Sequence, residues 1–92
     1  MKRPATNSRL PEEFKRKLRS IVRSYFDLEE SFPIKDGTMI VDFPGVDSFS
    51  VMDILARVEI EFYINIGFGE IDNVRTMDDL YSLVANKIRR GA

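Results

Sequence analysis

The chain reads as an all-α protein, a small bundle of three main helices and one short helix with a long first loop. Three observations predict this class. Apolar residues recur at helical spacing in three separate stretches, the Gly and Pro residues fall between those stretches, and no pair of alternating β-type runs is long enough to build a sheet. With 92 residues, the chain has room for one core only.

Residues 1–9, with Lys2, Arg3, Pro4 and Arg9 and no apolar periodicity, read as a disordered basic arm before a folded domain at 10–92. Pro11 suits the first turn of a helix, and Glu12 and Glu13 sit favourably near its positive end. Phe14, Leu18, Ile21, Val22 and Tyr25 then mark one face of an amphipathic helix that reaches about Phe26 or Leu28. Lys15, Arg16, Lys17, Arg19 and Arg23 fill its other faces and read as a solvated surface. Residues 29–46 are too long for an ordinary connection. Phe32, Ile34, Met39, Ile40, Val41 and Phe43 are expected to pin this segment to the core as an ordered loop.

A second helix is expected from Asp47 or Ser48, both good N-terminal residues, to about Phe62. Val51, Ile54, Leu55, Val58 and Phe62 form its core face. Phe49, Met52, Asp53, Ala56 and Ile60 repeat the spacing on a second face. In so small a domain one of two such faces is either exposed or covered by the long loop, and periodicity does not separate these cases. Glu70 to Val74 suit a short helical turn with Ile71 and Val74 inward. Thr76 with Asp79 resembles a capping box, and Leu80, Leu83, Val84 and Ile88 give a final helix with Gly91 beyond it.

The absences narrow function. No Cys and no His are present. That removes disulfides, thiolate nucleophiles, Cys- or His-based metal sites and every Ser-His or Cys-His pair. An enzyme is not expected. Asp42, Asp47 and Asp53 do not have the alternate-position spacing of a calcium loop, so no metal is expected. The charge is strongly segregated: residues 1–26 are net +6, residues 27–86 net −10, and Lys87, Arg89 and Arg90 add +3. A basic first helix without aromatic interleaving, followed by an acidic remainder, does not suit nucleic acid. No apolar run is long enough to span a membrane and no secretory signal is visible, so a cytoplasmic monomer is expected.

The stretch that carries chemistry is Pro44-Gly45-Val46-Asp47-Ser48-Phe49, followed by helix. A phosphate ester on the Ser48 hydroxyl would lie at the positive end of a helix dipole. The plain alternative is an ordinary N-cap serine or aspartate. The segment resembles the Gly-x-Asp-Ser-Leu signature of the acyl carrier protein family. From Gly45 to about Ile88 the chain can be laid on the family pattern without a gap, matching at Glu59, Glu61, Phe62, Ile66, Glu70, Val74 and Thr76. The resemblance implies a carrier that holds acyl cargo as a thioester on 4′-phosphopantetheine attached to Ser48. It implies that Asp47 helps dock the modifying transferase, and that Phe49, Met52, Asp53, Ala56, Glu59 and Ile60 form a docking surface, with Glu61 adding charge. The implied partners are a phosphopantetheinyl transferase, a cargo-loading ligase or synthetase, and downstream acyl-processing enzymes. Phe49 stands in place of the usual Leu, Ser50 where an acid is common, and Arg57 and Ile60 interrupt the acidic face. These departures point to specialised lipid or secondary-metabolite synthesis. An aminoacyl or peptidyl carrier and an unmodified interaction module stay open as alternatives.

Overall fold

The computed structural model describes residues 10–91, and the arm expected over 1–9 lies outside the described residues. Four α-helices follow in order, α1 (Glu12–Tyr25), α2 (Ser50–Phe62), α3 (Phe68–Ile71) and α4 (Met77–Gly91), with a 3-10 turn at Ile40–Asp42 inside the long connection. Pro11 is the N-cap of α1, its extended ψ leading into the helix, and Glu12 and Glu13 occupy the first turn as expected. Leu18 and Val22 are fully buried, and Phe14, Ile21 and Tyr25 pack half-buried around them. Helix α1 lies against both α2 and α4, and α2 carries α3.

The core is built from Leu18 and Val22 of α1, Ile40 and Phe43 of the connection, Ile54, Leu55 and Val58 of α2, and Val74, Met77, Leu80, Tyr81 and Val84 at the other end of the chain. Val51 and Phe62, expected as core, are half-buried at its edges, and Phe62 meets Phe14 edge-on with ring centres 5.7 Å apart.

Residues 29–46 are ordered for the reason expected, with one qualification. Ile40 and Phe43 are buried, Phe32 and Ile34 are partly so, whereas Met39 and Val41 face solvent. Phe43 stacks on Phe26 (5.2 Å) and lies 5.9 Å from Phe32. The connection also runs antiparallel to the lead-in of α4, with an isolated bridge between Met39 and Thr76. The Ile40 N–H donates to the Arg75 carbonyl (2.8 Å), and the N–H groups of Met77 and Asp78 donate to the carbonyls of Thr38 (3.0 Å) and Asp36 (2.8 Å). The loop therefore satisfies two of the donors that any helix leaves unpaired in its first turn. The Thr76–Asp79 capping box supplies the rest of this terminus: Thr76 Oγ1 accepts from the Asp79 N–H, and Asp79 Oδ2 accepts from those of Thr76 and Arg75.

Four expectations need correction. Helix α2 starts at Ser50, not at Asp47 or Ser48, because residues 47–49 form a tighter turn in which the Ser50 N–H reaches the Asp47 carbonyl. Helix α3 starts earlier than Glu70, at Phe68, where the Glu70 carboxylate reaches back to the Gly67 N–H (2.8 Å). Helix α4 continues through Gly91 rather than ending before it. Finally, the cations of α1 are not all a solvated face. Lys15 is only 8% exposed, 3.3 Å from Asp36 of the connection and over the Tyr81 ring. Arg19 donates to Tyr81 Oη and to the Glu12 carboxylate, and Arg23 donates to the Glu29 and Phe32 carbonyls. These three side chains bury their stems on the bundle and use their heads to hold α4 and the connection.

Candidate functional site

The site is the turn that feeds α2. Gly45 has φ +85°, a conformation in which a Cβ would be strained, and it turns the chain after Phe43 has been anchored in the core. From there the local sequence holds itself. Asp47 Oδ1 accepts the Phe49 N–H at 2.9 Å, and the Asp47 N–H donates to Ser50 Oγ at 2.9 Å. The Ser50 hydroxyl lies 3.2 Å from Asp47 Oδ1, to which it donates. This is the reciprocal logic of a capping box, run between an aspartate and a serine three residues on. It leaves Ser50 1% exposed and both of its flanking turns fixed.

Ser48 lies between these locked positions and is different. Its side chain is exposed and makes no hydrogen bond to any described residue. Of the two serines in the motif, then, one is structural and one is displayed. Ser48 is not the N-cap; it sits two residues ahead of the first helical residue. The N–H groups of Val51 and Met52, in the first turn of α2, have no backbone acceptor among the described residues, so the positive end of the helix stays available to an anion.

Beside the turn, Phe49 is 64% exposed and Ile60 76%, and Met52 and Ala56 also face solvent. The second apolar face of α2 is therefore uncovered; the long connection does not reach it. The charged members of that surface behave less simply. Asp53 Oδ2 accepts the Tyr25 hydroxyl at 2.9 Å, and this hydrogen bond is the main cause that raises the Tyr25 phenol above its ordinary value. Arg57 lies over the Tyr25 ring, 5.2 Å from its centre. Glu59 is turned away from partners: its carboxylate accepts the Ile66 N–H at 2.7 Å and closes the loop between α2 and α3. Glu61 pairs with Lys17 at 3.2 Å. Six side chains expected to act together thus divide into an apolar stripe of Phe49, Met52, Ala56 and Ile60, an Asp53 shared with α1, and a Glu59 that is a loop brace.

Two residues of the site escaped sequence reasoning. In sequence Ser50 stands out only as the replacement of an acid, although an acceptor three residues after Asp47 is the signal of a reciprocal cap. In sequence Tyr25 belongs to the first helix's apolar face, and nothing in its spacing shows that its hydroxyl meets α2.

A cleft of about 210 Å³ opens next to the turn, between α2 and α3. Met52, Leu55 and Ala56 form one wall and Ile66, Phe68 and Ile71 the other. Among the described residues no group of three acidic side chains could hold a metal, and no helix is long and apolar enough to cross a membrane.

The described residues thus form a four-helix bundle that displays one unengaged serine ahead of its second helix. Comparison with known proteins shows what the chain resembles. No family profile matches the chain. It is 26% identical over 77 residues to the acyl carrier protein of Thermotoga maritima, a match that covers 84% of this chain and 94% of that one. The solution structure of a holo acyl carrier protein from Geobacter metallireducens superposes with a TM-score of 0.74 at 28% identity, covering 85% of this chain and 88% of the other. In both sequence and structure, then, the chain is similar to acyl carrier proteins.

Proposed function

We propose that Ser48 is the attachment point of a 4′-phosphopantetheine arm on which this chain holds acyl cargo as a thioester. The observation that carries the reading is the contrast at the head of α2. Ser48 alone in its turn is exposed and unengaged, while Asp47, Phe49 and Ser50 are fixed around it. The group fits: an exposed hydroxyl is available for phosphodiester formation, and the free N–H groups of Val51 and Met52 stabilise negative charge at that end of the helix. When attached, the arm supplies the thiol that a chain without Cys cannot provide.

The remaining residues have roles that follow from their positions. Asp47 holds the turn through Oδ1 and keeps an exposed carboxylate beside Ser48, where a cationic or metal-bearing transferase site would meet it. Phe49, Met52, Ala56 and Ile60 offer an apolar stripe to incoming enzymes. The α2–α3 cleft starts one helical turn from Ser48, at Met52, and its apolar walls suit part of an acyl chain. Arg57 and Ile60 make the docking surface mixed rather than acidic, which supports dedicated partners in specialised lipid or secondary-metabolite synthesis: a transferase, a cargo-loading ligase and acyl-processing enzymes.

Co-expression with a broad-specificity phosphopantetheinyl transferase should add the mass of one arm to the intact chain, and Ser48→Ala should abolish the addition. Protein that stays bare with several competent transferases would overturn the proposal in favour of an unmodified interaction module. Intact-mass analysis of the loaded protein from its natural source separates acyl from aminoacyl cargo.

A further inference from the structure

The end of the bundle farthest from Ser48 has a character of its own. Helix α2 spans 13 residues, about 20 Å of rise, so its C-terminus lies across the molecule from the serine. There Tyr63 caps the helix in the left-handed region, with φ +57° and ψ +50°. Glycine or asparagine normally takes that conformation, and a bulky residue in it is strained. Strain of this kind is ordinarily compensated by packing, yet Tyr63 is 94% exposed.

The surroundings of Tyr63 are apolar and cationic. A shallow groove joins Phe62, Tyr63 and Ile64 to Lys87, Ile88 and Arg90 of α4. A second groove shares Ile88 and continues over Leu10, Phe14 and Arg89 to the start of α1. Arg89 and Arg90 are exposed and form no direct ion pair with a described carboxylate, although the charge of Arg90 reaches Glu70, which Lys87 holds at 2.8 Å.

We propose that this pole is a peripheral docking surface for an anionic phospholipid bilayer, with Tyr63 at the interface and Arg89 and Arg90 against headgroup phosphates. An exposed amphipathic ring with the Arg90 guanidinium in its groove and Arg89 in the adjoining one suits the headgroup layer. The apolar residues are spread around open grooves and form no deep pocket for a protein partner's anchoring side chain, so a broad anionic surface fits better than an acidic protein. In this orientation Ser48 points to the aqueous side.

The test is co-sedimentation of the full chain with phosphatidylglycerol or phosphatidylcholine vesicles. Binding is expected to phosphatidylglycerol alone, at low ionic strength, and to disappear in high salt. Each arginine should contribute about fivefold, so the Arg89→Gln/Arg90→Gln double variant should bind about 25-fold more weakly. Tyr63→Asn supplies an independent readout with opposed signs: its melting temperature should rise, because Asn tolerates the left-handed conformation, while vesicle binding falls. Equal binding to both lipids, no binding to phosphatidylglycerol at low salt, or parental binding by the arginine variant would overturn the proposal. Ser48→Ala should bind vesicles like the parent, so failure of the arm assignment and failure of this one are separable.

Discussion

Replacing Ser50 by Ala tests how the site is built. The Ser50 hydroxyl is buried, accepts one N–H at 2.9 Å and donates to a carboxylate at 3.2 Å. A hydrogen bond contributes about 1 kcal/mol net, somewhat more with a charged partner, and the deserted Asp47 N–H, only partly shielded, recovers some hydration. A loss of about 1–2 kcal/mol follows. In a domain of this size each kcal/mol moves the melting temperature by roughly 4–8 °C, so a fall of about 5–15 °C is expected. Ser48→Ala removes an exposed hydroxyl with no partner and should stay within about 0.5 kcal/mol of the parent. Thermal and urea unfolding of the unmodified proteins, with unchanged m-values, gives both numbers, and amide exchange at Asp47 should accelerate in Ser50→Ala only. Equal stability of Ser50→Ala and the parent, or equal losses in the two variants, would refute the division into one structural and one displayed serine.

The other predictions concern the braces around the site. Arg23→Gln should release the start of the connection, because the guanidinium donates to the Glu29 and Phe32 carbonyls; amide exchange over 29–34 should rise while α4 stays protected. Lys15→Ala should cost about 2 kcal/mol in urea unfolding through lost packing and an unpaired Asp36, whereas Lys15→Met, which keeps the stem, should cost less than half of that. The Lys87 hydrogen bond, seconded by the Gly67 N–H, lowers the Glu70 carboxyl below its ordinary 4.5. A depressed carboxyl stabilises the fold above its unfolded pKa and loses that contribution as pH falls through the folded one. Glu70→Gln should therefore be less stable than the parent at neutral pH and converge with it in acid, as followed by melting temperature against pH. Burial raises the Tyr81 phenol despite the Arg19 hydrogen bond, so stability from this group is present below the ordinary tyrosine value of 10.0 and declines as pH rises above it. Tyr81→Phe should flatten that alkaline decline.

Much of this was determined by the sequence. Apolar spacing located α1, α2 and α4, because a helix in a small domain must bury one stripe and wet the rest. The Thr76–Asp79 cap was legible for the same local reason: its donors and acceptors lie within four residues of one another. The turn ahead of α2 was legible through Gly45 and Asp47, although the helix begins two residues beyond Ser48. Only the tertiary structure decided what depends on residues far apart in the chain. The second face of α2 is open because Phe43 and Ile40 take the connection into the core elsewhere. Lys15 and Arg19 are braces because Tyr81, more than sixty residues on, lies beneath them. Tyr25 reaches Asp53 because two helices cross at the site. Periodicity reports that a side chain leaves water or meets it; which neighbour receives its polar end is set by how the helices pack, and no local pattern encodes that.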